Sequence, residues 1–147
     1  MLELEIIRMN KILEVTLPVI PVAKGRPRMA RTGVVFTPSK TRHYENQLRF
    51  FLHKEFAGKD PVKDPLIVHA IFAFVRPKGM SEKKRPFHCV KPDLTNLMKA
   101  LEDAGNGIIW QDDSQIFEMG LIKTYDNKSW IKITVMAYHP SLSDAKT

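Results

Sequence analysis

The segment Pro65–Val75, reading Pro-Leu-Ile-Val-His-Ala-Ile-Phe-Ala-Phe-Val, constrains this chain more than any other. It is rich in Ile, Val and Phe, whose branched or flat side chains suit a pleated surface, so it reads as a strand. It falls far short of the roughly 20 apolar residues a membrane helix needs, and His69 interrupts it. The chain must therefore build a sheet around this strand. Ile12–Leu17 supplies a second strand by alternation, with Leu13, Val15 and Leu17 facing one way and Glu14 and Thr16 the other. Gly33–Thr37 reads as a short extended piece, and Ser114–Tyr125 and Trp130–Tyr138 as two strands joined by a tight turn at Asp126-Asn127-Lys128.

Two helices complete the pattern. Thr37-Pro38 opens the first, with Thr37 as N-cap and Pro38 at the first helical position. Tyr44, Leu48, Leu52 and Phe56 then repeat every four residues, and Gly58 marks the stop. The second begins after Lys91-Pro92, because Pro92 biases Lys91 away from helix and Asp93 can serve as an N-cap. It runs to about Ala104, with Gly105 just past its end and Asn106-Gly107 as a turn. Leu94, Leu97, Met98 and Leu101 form one stripe, while Asn96, Lys99 and Asp103 point the other way. The expected fold class is α+β: a mixed sheet flanked by two helices in a single domain, residues 1–147, with 1–10 and 141–147 as peripheral ends.

Charge narrows the partner. Lys and Arg number 23 against 16 Asp and Glu, a net charge of +7. Eight cations lie between Lys24 and Lys54 with only Glu45 among them, including Lys24, Arg26, Arg28, Arg31, Lys40 and Arg42. A second group spans Arg76 to Lys91 and includes Lys83, Lys84, Arg85 and Lys91. Basic segments rich in Pro and Gly suit the regular negative charge of a phosphate backbone, so these ten named residues are the candidate nucleic-acid contacts, beside a plainer reading as a solvated surface. One cysteine, Cys89, can form neither an internal disulfide nor a zinc cluster, and the acidic start lacks a secretory pattern. A cytoplasmic setting is expected.

The acids gather elsewhere. Asp93, Glu102, Asp103, Asp112, Asp113 and Glu118 fall within one short stretch. Asp93 opens a helix, Lys99 lies further along it, and Asp112-Asp113 precede a strand. If that strand end lies beside the helix start, carboxylates from two elements converge on a site for Mg²⁺, a hard cation that favours oxygen ligands. Each residue also has a plainer reading: helix capping for Asp93, a polar turn for Asp112-Asp113, a solvated helix position for Lys99.

Lys91-Pro92-Asp93-Leu94-Thr95-Asn96-Leu97-Met98-Lys99, then Gly107-Ile108-Ile109-Trp110-Gln111-Asp112-Asp113-Ser114-Gln115-Ile116, closely resembles the RusA family of Holliday junction resolvases. The family pattern is Asp-x-Asp-Asn-Leu-x-Lys, then Trp-x-Asp-Asp-x-Gln. The earlier Pro21–Arg28 and Thr37–Glu45 segments are similar to RusA-type proteins of Gram-positive bacteria and their phages, so a phage or prophage setting is implied. The resemblance implies a homodimeric, Mg²⁺-dependent endodeoxyribonuclease that cuts four-way junctions by paired symmetric nicks. It carries the catalytic roles to Asp93, Lys99 and Asp113, metal binding to Asp93, Asp113 and Asp112, and a supporting role to Asn96. At the second family Asp this chain has Thr95, a neutral hydroxyl in place of a carboxylate. Compensation by Asp112 or Glu118, a slow or purely junction-binding protein, and an inactivating replacement all stay open.

Among other residues, His69 reads as a half-buried strand residue, His88 as a loop residue for which a phosphate contact is the lesser reading, and Phe87 either as a ring that stacks on an unpaired base or as a core or loop anchor. Trp110 and Trp130 read as core, and Cys89 as a small buried residue.

Overall fold

A computed structural model describes residues 9–139 of the protein, so most of both expected peripheral ends lies outside the described residues. Strand β1 (Met9–Leu17) leads to a small hairpin, β2 (Arg28–Met29) and β3 (Val35–Phe36). Helix α1 (Ser39–Glu55), strand β4 (Leu66–Val75) and helix α2 (Leu94–Gly105) come next. A single 3₁₀ turn at Asp113–Gln115 introduces β5 (Ile116–Asp126), and β6 (Trp130–Tyr138) ends the fold. The architecture is α+β with a mixed four-stranded sheet in the order β1-β6-β4-β5.

β4 lies inside the sheet, parallel to β5 and antiparallel to β6. That position explains its composition. Leu66, Val68, Ala70 and Phe72 join the core under the helices, while Ile67 and Ala73 are buried although they face the other way. A parallel pair needs a long crossover, and here α2 supplies it. β5 and β6 are joined by a short link as expected, but they are not neighbours, because β4 lies between them.

Both helices pack on one face of the sheet. α1 buries Tyr44, Leu48 and Leu52, with Phe56 at its end, and α2 buries Leu97, Met98 and Leu101. The opposite face carries His69, Glu118, Lys132 and Glu14, and Glu14 pairs with Lys11 at 2.6 Å and Lys132 at 3.4 Å. His69 is therefore exposed rather than half-buried, since its neighbours in the strand take the inward positions.

The first helix starts one residue later than expected. Pro38, not Thr37, occupies the cap position, with φ −53° and ψ 141°, and no side chain caps the helix. Gly105 is helical and packs directly on the Trp110 ring, where any Cβ would collide with it. Trp110 is fully buried and donates Nε1–H to Asn106 Oδ1 at 2.8 Å, so it is core as expected. Among the described residues no helix is long and apolar enough to cross a membrane.

Candidate active site and nucleic-acid interface

Asp93 stands at the N-cap position of α2 with extended backbone (φ −75°, ψ 144°), yet its carboxylate makes no capping bond. The plainer capping role is thus not taken up. Asp93 instead lines an open groove of ≈ 1420 Å³ together with Asn96 and Lys91. The facing chain contributes Arg26 and Arg28, and α1 contributes Lys40, His43 and Gln47. Four of the ten candidate DNA contacts therefore meet one carboxylate in one concave surface. Arg31, Arg42, Lys83, Lys84 and Arg85 are exposed but do not line the groove.

Lys24 is placed differently. Its ammonium pairs with the Asp103 carboxylate and lies 3.4 Å from Glu45, and its backbone N–H donates to Asn96 O at 3.1 Å. The Asp103 bond comes first among the causes that raise its pKa above the ordinary lysine value. Lys24 therefore ties the groove wall to α1 and α2, with its charge already matched by carboxylates. Arg49 has a comparable structural role, donating to Ala104 O at 3.4 Å and Asn106 O at 3.2 Å at the end of α2.

α2 divides its polar residues between two directions. Asn96 and Asp103, seven residues apart, face the Lys24 segment. Thr95, Lys99 and Glu102 have i, i+4, i+7 spacing and share a second face. The 3₁₀ turn that carries Asp113 packs against α2, and Asp113 acts on Glu102 from there. Burial first, and then the Asp113 charge, push the Glu102 carboxyl above the usual carboxylate range, while Lys99 opposes the shift. Sequence reasoning placed Glu102 in the acidic stretch but gave it no site role. Its position three residues after Lys99, on the same face, was the available signal.

The turn carrying Asp113 is held from both sides. Asp112 accepts from Ser114 N–H at 3.3 Å and from the Ser114 hydroxyl, which lowers its pKa. Gln115 accepts from Asp112 N–H at 2.9 Å, completing a capping box. Its amide donates to Val62 O at 2.9 Å and Asp64 O at 3.0 Å. Asp112 thus takes the polar-turn role, and its carboxylate is engaged within the turn. Gln115 is a positioning residue that spacing alone did not reveal. Lys123 is another, since its ammonium reaches Val90 O at 2.7 Å and Pro92 O at 2.9 Å, anchoring the approach to Asp93.

The neighbouring loop corrects two expectations. His88 is buried between the rings of Phe74 and Tyr125, with centroids 4.5 and 4.7 Å away, so it is a packing residue rather than a phosphate contact. With His88 turned inward, the adjacent Cys89 is exposed instead of buried. Phe87 is 76% exposed, which leaves its ring available for stacking.

No three His, Cys, Asp or Glu side chains among the described residues stand close enough to cage an ion. Mg²⁺ does not need such a cage, because it binds through one or two carboxylates plus waters and substrate phosphates. The acids there are divided, with Asp93 opening on the basic groove and Asp113 standing toward Glu102 on the other side of α2.

Comparison with known proteins identifies the family. The family model described as Endodeoxyribonuclease RusA matches residues 18–136, and the chain belongs to that family. The chain is also similar to a protein of Bacillus subtilis (strain 168) named "Uncharacterized protein YqaN". The two are 25% identical over 127 residues, which cover 78% of this chain and 89% of the relative.

Proposed function

We propose that this member of the RusA endodeoxyribonuclease family is a Mg²⁺-dependent, structure-selective nuclease of the cytoplasm. It acts as a homodimer and resolves four-way DNA junctions by paired symmetric nicks. One observation carries the reading: Arg26, Arg28, Lys40 and Lys91 line the same groove as Asp93 and Asn96. Cations there hold the phosphate backbone, and base identity contributes little to such contacts. A dimer suits the substrate, since a two-fold junction needs two equivalent active sites.

By the family pattern, Asp93 on the groove and Asp113 on the facing turn are the residues that would hold the metal. When bound, Mg²⁺ acidifies a water and offsets charge on the phosphate. Lys99, on the α2 face that meets Asp113, stabilises negative charge developing on the phosphate oxygens. Asn96 supports the helix start through its carbonyl bond to Lys24.

The test is an end-labelled synthetic four-way junction incubated with Mg²⁺ or EDTA. Symmetric nicks are expected only with Mg²⁺. Asp93→Asn, Asp113→Asn and Lys99→Met should each slow nicking about 100-fold or more while junction binding in EDTA persists. Thr95 favours a second reading, a junction-binding protein without nuclease activity. Tight, EDTA-insensitive binding with no nicks would establish that reading instead.

A further inference from the structure

We propose that Phe87 is the residue with which this protein recognises an open branch point: its ring stacks on a base that a four-way junction exposes and a continuous duplex does not. The inference rests on the nuclease reading above and names the contact that makes it selective for structure.

Exposure alone would carry little, since single apolar side chains are common on protein surfaces. Phe87 differs because its backbone is pinned on both sides. On the N-terminal side, the Arg76 guanidinium lies 4.4 Å from the centre of the Tyr125 ring and donates to Arg85 O at 2.6 Å. On the C-terminal side, His88 is buried between Phe74 and Tyr125. Lys123 then donates to Val90 O at 2.7 Å and Pro92 O at 2.9 Å. Held between these anchors, the Phe87 ring is 76% exposed. A ring fixed outward in advance has little ordering entropy left to lose when it stacks.

Charge selects the occupant. Residues 76–91 hold six cations and one acid, Glu82. Of those cations Lys78, Lys83, Lys84, Arg85 and Lys91 are exposed. Cations that hold a phosphate backbone around a ring that takes a base are the two parts of a single-strand binding surface. Phe50 and Phe117 are also exposed, but Phe50 lies edge-on to Phe51 at 5.6 Å and Phe117 precedes Glu118. Phe87 stands six residues before Asp93, which is at most about 22 Å of chain, so one junction arm spans both.

The test measures affinity in EDTA for a four-way junction and for a duplex of the same sequence. Phe87→Ala should bind the junction about 5- to 150-fold more weakly, with duplex affinity and melting temperature unchanged. Phe87→Trp should keep junction affinity, whereas Phe87→Leu, apolar but not flat, should lose it as Ala does. A 2-aminopurine base at the branch point should change its fluorescence on binding the native protein and not on binding Phe87→Ala. Native junction affinity and an intact fluorescence change in Phe87→Ala would overturn the assignment. So would equal losses on junction and duplex, or full affinity in Phe87→Leu. Mg²⁺-dependent nicking by the native protein would leave the nuclease reading standing in each of those cases. A native protein that neither prefers the junction over duplex nor nicks it would overturn both readings together.

Discussion

His88 shows how a single side chain's role depends on what surrounds it. In sequence it is a histidine next to a basic loop; in the fold it is sandwiched between Phe74 and Tyr125. Burial lowers its pKa below 6.5, and the nearby Lys123 charge adds to the shift. Above about pH 6.5 the residue is neutral in both folded and unfolded chains, so it contributes no pH dependence. As pH falls through that value, the unfolded chain takes up a proton that the native His88 resists, and stability is lost. Urea midpoints should therefore fall from pH 7.5 to 5.5, and His88→Phe should flatten that fall. A slope unchanged in the variant would show that another group titrates. Cys89 and His69 obey the same logic: Cys89 is exposed beside the inward His88, and His69 is exposed between the inward Val68 and Ala70.

At the scale of elements, the 3₁₀ turn at Asp113–Gln115 is too short to hold itself. It depends on Gln115, which links the turn to the carbonyls of Val62 and Asp64 just before β4. Gln115→Ala removes the amide bond to Asp64 O, leaves Val62 O with its bond from Gln111 N–H alone, and takes away half the capping box, at a cost of about 1–3 kcal/mol. Because the turn carries Asp113, nicking should fall more than junction binding measured in EDTA. An equal loss of both would make Gln115 a purely structural residue. α2 was legible at this scale: its apolar stripe, its start after Pro92 and its end near Gly105 come from periodicity and backbone restriction. Its two polar faces were not legible, because the sequence shows only that Asn96, Lys99 and Asp103 avoid the core. Which neighbour each one meets depends on where the Lys24 segment and the Asp113 turn dock.

Over the whole molecule, the basic charge resolves into a groove and a remainder. Arg26, Arg28 and Lys40 line the groove, whereas Lys24 is bound to Asp103 and Glu45. Replacing Arg26, Arg28 or Lys40 by Ala should each reduce the salt dependence of junction binding by about one unit of log–log slope. Lys24→Ala should leave that slope unchanged and lower the melting temperature, because it breaks a contact within the protein. A slope change at Lys24 equal to that at Arg26 would return it to the DNA interface.

The sequence by itself determined the α+β class, both helices, the longer strands and the family, because periodicity, proline restriction and the two acidic motifs are properties of neighbouring residues. Only the tertiary structure decided the sheet order, with β4 between β5 and β6. It also joined Lys24 to Asp103 and Glu102 to Asp113, and it turned Asp112 into its own turn. Those pairings form between segments far apart in the chain or around a local turn geometry. Their partners are set by how β4, α2 and the Asp113 turn pack together, which residue spacing does not encode.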